Sequence, residues 1–391
     1  MTKKLLIIVL TGLFNTMAFA ADLYVRNAGA GGAYSTVSAA ITAASDGDRI
    51  IIQPKTNGTA YVENITINKS LTFVSETSYN KYFIQGTVTI NPAAGRVVTI
   101  SNLSSGNFTI YNVVASGPTT GGRTTINLYN CYLNKVITNQ ANTTTNISGS
   151  VVSGEINFSH GRVTANKAQS ISVNSTTADT SLAPSDVEVY GNAASFGITH
   201  SQSNYNFKLY NNFCRGVFVY AIKTGGNNEI INNTIYDPNG GDIAPFFINL
   251  STGNTGNISM MNNAASFVVG ATNVCIKNNN IATVTANYNV FTNPFVTEGT
   301  IIQNNNSGSV NMNFDNTAYT VTGMNVNAGN PDVMYTDLDL TRNDAGHYGG
   351  SNSWANYWPA DSGAKPQINY LVTPRTINNG TLNVIGSGFS K

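Results

Sequence analysis

Residues 187–233 read VEVYGNAASFGITHSQSNYNFKLYNNFCRGVFVYAIKTGGNNEIINN, and short apolar runs in this stretch repeatedly meet a Gly or Asn turn. The turns fall at Gly191, Asn211 and Asn232, about 20 residues apart, a spacing within the repeat lengths of solenoid proteins. The same punctuation recurs elsewhere, at Asn130, Asn262, Asn278 and Asn304. Asn and Gly tolerate the left-handed backbone that such turns need. The pattern therefore predicts an all-β fold, a right-handed parallel β-helix.

Aligning the coils on their turns predicts which side chains face inward. An aliphatic residue stands two positions before each turn, and these residues should stack inside the solenoid: Leu128, Val189, Leu209, Ile230, Met260, Ile276 and Ile302. The Asn residues at the turns should form a ladder of stacked amides: Asn130, Asn211, Asn232, Asn262, Asn278 and Asn304. Stacked side-chain amides can bond to one another and to the turn backbone.

The chain is long and poor in charge. It has 391 residues, of which 10% are charged, and its formal net charge is +1. Phosphate binding needs clustered Lys and Arg, so nucleic acid is not an expected partner. The 19 Tyr and 2 Trp in an amide-rich chain suit either sugar stacking or packing on strand faces, and both interpretations stay open.

The first twenty residues have the pattern of a secretory signal peptide. Lys3 and Lys4 precede the apolar run Leu5–Phe14, and Ala18–Ala20 forms an A-x-A cleavage signal. We expect residues 1–20 to be removed, with the mature chain starting near Ala21 or Asp22. The apolar run is too short for a membrane span. Export to the cell surface, the medium or the periplasm is therefore expected, without a transmembrane segment.

The sequence predicts a helical cap before the coils. Residues 34–45 have apolar residues at helical spacing after Ser35 or Thr36, either of which can cap the helix. The sequence SAAITAASDGDRIII at 38–52, followed by YVENITINKSLTF at 61–73, resembles the opening of the pectate-lyase-like right-handed parallel β-helix superfamily. In that superfamily such a helix caps the open end of the solenoid. Residues 332–350 resemble a closing segment of secreted bacterial β-helix repeat proteins.

The histidines and cysteines show no motif spacing. The cysteines are expected to be small apolar residues without an essential disulfide or metal: Cys131, Cys214 and Cys275. The histidines are expected on the surface or in turns: His160, His200 and His347.

One outward column of the aligned coils is rich in charge. It holds Asn127, Glu188, Lys208, Glu229, Ser259 and Cys275. Arg215 and Asp186 lie close to these coils in the sequence. Carboxylates beside Lys or Arg could hold a cation or exchange protons in a polysaccharide lyase or hydrolase, with catalytic residues Glu188, Lys208, Arg215 and Glu229. Alternatively, alternating charges pair neighbouring coils as a surface ladder.

Two clusters of oxygen ligands could bind Ca²⁺. The denser cluster is Asp337, Asp339, Asn343 and Asp344, and a weaker one is Asp237, Asn239 and Asp242. Both sets also suit the capping of turns and strand ends. No other cofactor is expected.

The end of the chain predicts a β-hairpin tail. Residues 366–372 and 376–386 resemble the first two strands of an immunoglobulin-like module, so we divide the mature chain into a β-helix at 21–365 and a tail at 366–391. Two strands alone are not stable, and the tail should pack on the solenoid or on a partner. The partner-binding residues would be Tyr370, Leu371, Leu382, Val384 and Ile385.

These features favour a non-catalytic exported protein, a surface rod or adhesin-like subunit that binds glycan or a cell-envelope protein. A homo-oligomer or larger surface assembly is compatible with them. The alternative is a polysaccharide lyase or glycoside hydrolase, because a fold does not fix a function.

Overall fold

The computed structural model describes residues 20–77, 80–105, 112–118, 122–175, 183, 185–240, 243–268, 273–357, 367–372 and 384–389. The signal peptide predicted at residues 1–20 lies almost wholly outside this part of the chain, as do Asp242 and Leu382. Of the predicted tail residues Tyr370, Leu371 and Ile385, only the backbone is described.

The described chain contains many short strands. In chain order they are β1 Asp22–Val25, β2 Arg49–Ile52, β3 Tyr61–Val62, β4 Ile65–Ile67, β5 Leu71–Ser75, β6 Tyr82–Gln85, β7 Val88–Ile90, β8 Val97–Ser101, β9 Leu103–Ser104, β10 Asn112–Ala115, β11 Thr124–Tyr129, β12 Tyr132–Leu133, β13 Lys135–Thr138, β14 Thr143–Ser148, β15 Val151–Phe158, β16 Gly161–Thr164, β17 Lys167–Val173, β18 Val187–Tyr190, β19 Ala193–Ser201, β20 Phe207–Tyr210, β21 Phe213–Cys214, β22 Val217–Ala221, β23 Asn227–Ile231, β24 Thr234–Asp237, β25 Phe246–Ile248, β26 Asn257–Met261, β27 Ala264–Phe267, β28 Ile276–Asn278, β29 Thr283–Asn287, β30 Val290–Phe291, β31 Thr297–Glu298, β32 Ile301–Asn304, β33 Met312–Asp315, β34 Thr320–Gly323, β35 Gln367–Val372 and β36 Ile385–Phe389. The α-helices are α1 Val37–Ala43 and α2 Trp354–Tyr357, and 3₁₀ helices span Asn27–Gly32, Thr56–Gly58 and Val333–Tyr335.

The strands stack as a right-handed parallel β-helix, as the sequence predicted. One parallel sheet of 13 strands, here called sheet 1, contains β1, β2, β5, β8, β11, β14, β16, β18, β20, β23, β26, β29 and β32. The second parallel sheet has 19 strands, arranged in two ladders that the long strands β15, β17 and β19 join. Because every coil places a strand in register on the previous one, a single core runs along the inside.

The core is an aliphatic stack along sheet 1. Pairing in register aligns Leu23, Ile50, Phe73, Ile100, Leu128, Ile147, Val163, Val189, Leu209, Ile230, Met260 and Ala286. All of these side chains are buried. Ile276 is buried inside the solenoid as predicted, but it pairs with Phe246 in the second sheet and not with this stack. The prediction was wrong for Ile302, which pairs with Thr285 and is 58% exposed.

Helix α1 covers the first coils, as predicted. Thr36 is its N-cap, and the Thr36 hydroxyl accepts a hydrogen bond from the Ala39 N–H. The Glu63 carboxylate accepts the Val37 and Ser38 N–H groups at 2.8 and 2.9 Å. A carboxylate at a helix N-terminus accepts hydrogen bonds from otherwise unpaired N–H groups and interacts favourably with the positive end of the helix dipole. The cap is therefore fixed to the next coil, through a residue between β3 and β4.

The Asn ladder lies one residue further along than the sequence analysis placed it. Asn130, Asn211, Asn232 and Asn262 have positive φ and form the turns themselves. The ladder consists of Asn166, Asn192, Asn212, Asn233, Asn263, Asn289 and Asn306, of which only Asn306, at the end, is half-buried and the others are buried. Each backbone N–H donates to the side-chain oxygen of the next coil, at 2.8–3.1 Å. Asn278 lies in the other sheet and Asn304 ends β32, so neither is in the ladder.

Residues 324–350, here called the return segment, run back along the turns. The Asn330 N–H donates to the Asn262 side chain at 2.8 Å. The Asn232 amide donates to the Asn343 side chain at 2.9 Å, and the Asn211 amide donates to the Gly349 carbonyl at 2.7 Å. Later residues thus contact earlier coils.

Two antiparallel strand pairs follow the solenoid. The hairpin β33–β34 packs Met312 and Val321 on Ala264 and Val290 of the coils. The predicted tail contains the antiparallel pair β35–β36, whose second strand begins at Ile385. Val384, just before it, is 52% exposed. None of the described helices has the length and apolar character that crossing a membrane requires.

The cysteines and histidines are all buried. The three thiols are free, and burial raises their pKa values to about 11, 12 and 11 for Cys131, Cys214 and Cys275. They are packed as small apolar residues, as expected. None of the three histidines is on the surface, since His200 and His347 are fully buried and His160 nearly so, but His347 does lie in a turn and His160 in a bend. Their rings pack against aromatic side chains of neighbouring coils.

Candidate functional site

The charged column of sheet 1 forms in the predicted register. Glu188 pairs with Lys208, and Lys208 with Glu229, on three successive strands. Arg162 precedes them in the same column. Cys275 is not in this column, because it lies buried just before β28 of the other sheet.

Each charged side chain of this column forms a hydrogen bond or an ion pair with a nearby side chain. Arg162 Nε donates to Glu188 Oε2 at 2.5 Å, and Lys208 Nζ lies 3.1 Å from Asp186 Oδ2. The Tyr210 hydroxyl donates to the Glu229 carboxylate. Charges that alternate and pair along a sheet face stabilise the contact between coils.

The electrostatics of Lys208 oppose a role as a proton acceptor. Burial disfavours its ammonium form, but the hydrogen bond to Asp186 and the charges of Asp186, Glu229 and Glu188 outweigh burial, so the pKa of Lys208 is raised. A general base works best when its pKa lies near the working pH. Burial raises the pKa of Glu229, while the charge of Lys208 opposes that shift.

The structure does not bring Arg215 to this column. Arg215 follows β21 in the second sheet, where its Nε donates to Asp237 Oδ1 at 2.7 Å. The four residues proposed for catalysis therefore do not share one face. Arg215 belongs to a different site.

That site is a groove on the second sheet. Its larger cavity, about 340 Å³, is lined by Phe196, Arg215, Phe218, Asp237, Ile243, Ala244, Pro245 and Phe267. An adjoining cavity of about 140 Å³ shares Phe196 and Arg215 and reaches Pro238 and Asn239 of the loop after β24, and Asn316 and Tyr319 of the hairpin β33–β34. The loop and the hairpin thus give the groove its depth.

The aromatic side chains of the groove are held in place by close backbone packing. A Cβ atom on Gly216 would lie 2.5 Å from the Phe218 ring, and one on Gly197 would lie 2.9 Å from it. Any larger residue at these positions would collide with the ring, so the two glycines make room for Phe218. Phe196 stands beside it and is 56% exposed. An apolar platform this exposed marks a candidate contact surface.

The Arg215–Asp237 pair supplies the polar part of the groove. The two side chains are 31% and 13% exposed, so the pair is accessible from the groove but shielded from bulk water. Asp237 Oδ1 also accepts the Asn239 N–H at 3.2 Å, which fixes the loop. Asn239, from the weaker predicted cation cluster, lies at the edge of the groove with its backbone held by Asp237.

The denser cluster predicted for Ca²⁺ lies in the return segment, where its oxygens bind backbone N–H groups. Asp337 accepts the N–H groups of Gly350 and Asp344 at 2.5 and 3.0 Å, and Asp339 accepts the Thr341 N–H at 3.0 Å. Asn343 Oδ1 accepts the Asn232 amide. Burial raises the pKa of Asp337 to about 6. In the described part of the chain no three or more His, Cys, Asp or Glu side chains are grouped to hold a metal.

One Ser–His contact was not foreseen in the sequence. His160 Nε2 lies 3.3 Å from the Ser185 hydroxyl and 3.0 Å from the Ser185 carbonyl. A carbonyl accepts only, so Nε2 carries the proton, and Nδ1 accepts from the Thr144 hydroxyl at 3.1 Å. In this tautomer His160 cannot take a proton from Ser185.

No family model, curated protein or solved structure matches this chain.

The groove could not be recognised in the sequence because it joins residues from four successive coils and a returning hairpin. Two signals pointed to it. The sequence Asn-Ala-Ala-Ser-Phe occurs at 192–196 and again at 263–267, and its Phe residues both line the groove. The long step between the turns at Asn232 and Asn262 contains the loop that forms one wall.

Proposed function

We propose that this chain is a non-catalytic, exported β-helical protein of the cell envelope that binds glycan in the Phe196–Arg215 groove. The observation that carries the proposal is an exposed aromatic platform beside a shielded Arg–Asp pair, in a groove of about 340 Å³. Ligand sites are typically apolar concavities with a few fixed polar groups.

The chemistry of the groove favours a sugar over other ligands. The apolar face of a pyranose ring can lie on Phe196 or Phe218, while its hydroxyls exchange hydrogen bonds with Arg215, Asp237 and the amides of Asn239 and Asn316. Because Asp237 neutralises Arg215, the groove offers no unbalanced charge. A neutral glycan is therefore the expected ligand.

Export and family membership are part of the same proposal. The basic start, apolar run and A-x-A signal of residues 1–20 support export. The 38–52 and 61–73 sequences and the coil architecture support membership of the pectate-lyase-like superfamily. The exposed start of the tail at Val384 supports a further contact with an envelope partner.

The absence of catalysis is proposed from the pairing of the charges. Glu188, Lys208 and Glu229 each have a neighbour that uses their charge, and Arg215 lies on another face. Incubation with acidic polysaccharides should give no rise in ultraviolet absorbance from unsaturated products. A rise that Lys208→Ala abolishes would refute this part of the proposal.

Glycan binding is tested by titration of the purified protein with neutral and acidic oligosaccharides, after a screen on immobilised glycans. Phe196→Ala should weaken binding at least about 10-fold, equivalent to about 1.4 kcal/mol. The side chain is more than half exposed, so its removal should leave the fold intact.

The matched control is Tyr24→Ala, which removes an exposed aromatic side chain from the first coil, outside the groove. Its affinity should equal that of the unaltered protein. The glycan assignment is wrong if no oligosaccharide binds, or if the two variants bind equally well.

A further inference from the structure

The backbone of Ala21 is held by a buried carboxylate. The Ala21 nitrogen donates to Asp48 Oδ1 at 2.7 Å, and Asp48 Oδ2 accepts the Ser45 N–H at 2.7 Å. Asp48 is only 7% exposed. A buried carboxylate is costly unless its oxygens are satisfied, so this arrangement fixes the nitrogen of one residue to the end of the helical cap.

Ala21 is also the point where the described chain joins the fold. Its carbonyl accepts the Arg49 N–H at 2.9 Å, and the next residue, Asp22, starts β1 and pairs with the Arg49 side chain at 2.8 Å. Ala20 and Ala21 are both exposed. The bond between them is therefore accessible, while Ala21 and Asp22 after it are held by Asp48 and Arg49.

We propose that the Ala20–Ala21 peptide bond is a processing site and that Asp48 receives the new amino terminus. A peptidase adds water to this bond: the hydroxyl joins the Ala20 carbonyl, and the Ala21 nitrogen leaves as an amine that takes up a proton. The Ala21 nitrogen, which donates one N–H to Asp48, then becomes an ammonium group, and the hydrogen bond from a neutral amide becomes an ion pair. The inference rests on the export part of the proposed function and not on the groove.

The surroundings of Asp48 suit an incoming cation. Lys69, whose charge acts on Asp48, is bound to the carbonyls of Ile41, Thr42 and Ala44 at the end of α1. Arg49 is paired with Asp22, and Asp46 accepts the Ser70 N–H. Backbone hydrogen bonds from Ser45 and Ala21 already hold the pKa of Asp48 below its usual value, so Asp48 is ionised and ready for an ammonium partner.

The ion pair has a defined pH dependence. An α-amino group has an ordinary pKa of about 7.7–8.0, and pairing with Asp48 raises it in the folded protein. The added stability is therefore fully present below about pH 7.7 and is lost as the pH rises through the raised pKa.

The first test exports the full chain from a bacterial host and determines the amino terminus by intact mass and amino-terminal sequencing. We expect Ala21 as the first residue. A chain that starts elsewhere, or that keeps its first twenty residues after export, overturns the processing site.

The second test compares this processed protein with one that keeps a short extension before Ala21. Asp48→Asn should lower the melting temperature of the processed protein by about 1–2 °C more than that of the extended one, the shift expected in a chain of this length when an ion pair is lost rather than a neutral hydrogen bond. Asp46→Asn is the control, since the same change two residues away should affect both proteins equally. Equal effects of Asp48→Asn in both proteins overturn the ion pair.

A third measurement does not need a variant. The amino terminus of the processed protein should react with cyanate at pH 8 about 4-fold more slowly in the folded than in the unfolded state, because a pKa raised by about one unit from its ordinary value near 7.8 lowers the free-amine fraction from about 0.6 to about 0.14. Equal rates would also overturn the ion pair.

Discussion

Removal of one amide from the Asn ladder tests what holds the coils together. Asn233 is fully buried, and its side-chain oxygen accepts both the N–H and the side-chain amide of Asn212, at 3.1 and 2.9 Å. Its own amide donates to the Leu209 carbonyl at 2.8 Å and to Asn263 at 3.0 Å. The substitution Asn233→Ala removes all of these bonds at once.

The cost follows from the groups that lose their partner. The Asn212 N–H and one hydrogen of its side-chain amide would be left buried without an acceptor. Each such group costs about 1–3 kcal/mol, so Asn233→Ala should lower the free energy of unfolding by about 2–6 kcal/mol. Water cannot replace the lost oxygen while the neighbouring coils stay closed, because the site is sealed on both sides by other ladder residues.

Two further variants calibrate this effect in urea unfolding followed by circular dichroism. Ser150 occupies the equivalent position in an earlier coil, where its hydroxyl accepts the Cys131 N–H at 3.0 Å. Asn233→Ser should therefore restore one acceptor and cost about half as much as Asn233→Ala. Asn257→Ala removes an exposed hydrogen bond between two side-chain amides on sheet 1, and it should lower the free energy of unfolding by at most about 0.5 kcal/mol. If Asn233→Ala costs no more than Asn257→Ala, the ladder does not stabilise the solenoid.

Two other predictions concern buried titratable groups. Burial lowers the pKa of His200 to about 4, below its ordinary 6.5, so the folded state binds fewer protons and stability should fall by up to about 3 kcal/mol as the pH drops from 6.5 to 4. His200→Gln keeps a donor for the Ala221 carbonyl without titrating, and unfolding free energies measured across this range should depend less on pH; an unchanged slope would contradict the assignment. Cys131, Cys214 and Cys275 should not react with a thiol reagent at pH 8 until the chain unfolds, when three thiols appear; early reaction of any of them would show that its coil opens.

The sequence predicted the positions of the coils more accurately than the roles of individual residues within each coil. Turns at Asn211, Asn232 and Asn262 were visible because Asn recurs there, and the inward stack followed from alternation. The buried amide is the second Asn of each pair, and a pattern of adjacent Asn residues does not show which one adopts the left-handed turn and which one points inward. Only the stacking of coils decides this.

Irregular turns explain the other errors in register. In the coil after Asn262 the left-handed position is taken by Tyr288, while the Asn-rich residues 278–280 belong to the opposite side of the solenoid. The turn at Ala165 likewise lacks Asn or Gly, and for that reason Arg162 was not assigned to the charged column. Packing against neighbouring coils forces such residues into the left-handed conformation, which costs conformational free energy. The residue type alone does not reveal that this conformation is adopted.

The groove could not be assembled from the sequence for a different reason. Its walls come from the loop after β24 and from a hairpin about 80 residues later, and no local pattern links the two. Arg215 was noticed as a charged residue, but its partner Asp237 became clear only when strands β21 and β24 were paired.

The return segment changes how this solenoid completes its folding. In an ordinary solenoid each coil depends on its nearest neighbours, and folding can propagate as the chain is made. Here the Asn211 turn receives its last partners from Gly349, 138 residues later in the sequence. The hydrogen bonds at the turns of the middle coils therefore cannot all form until nearly the whole chain has been synthesised. The return segment completes coils that come much earlier in the sequence.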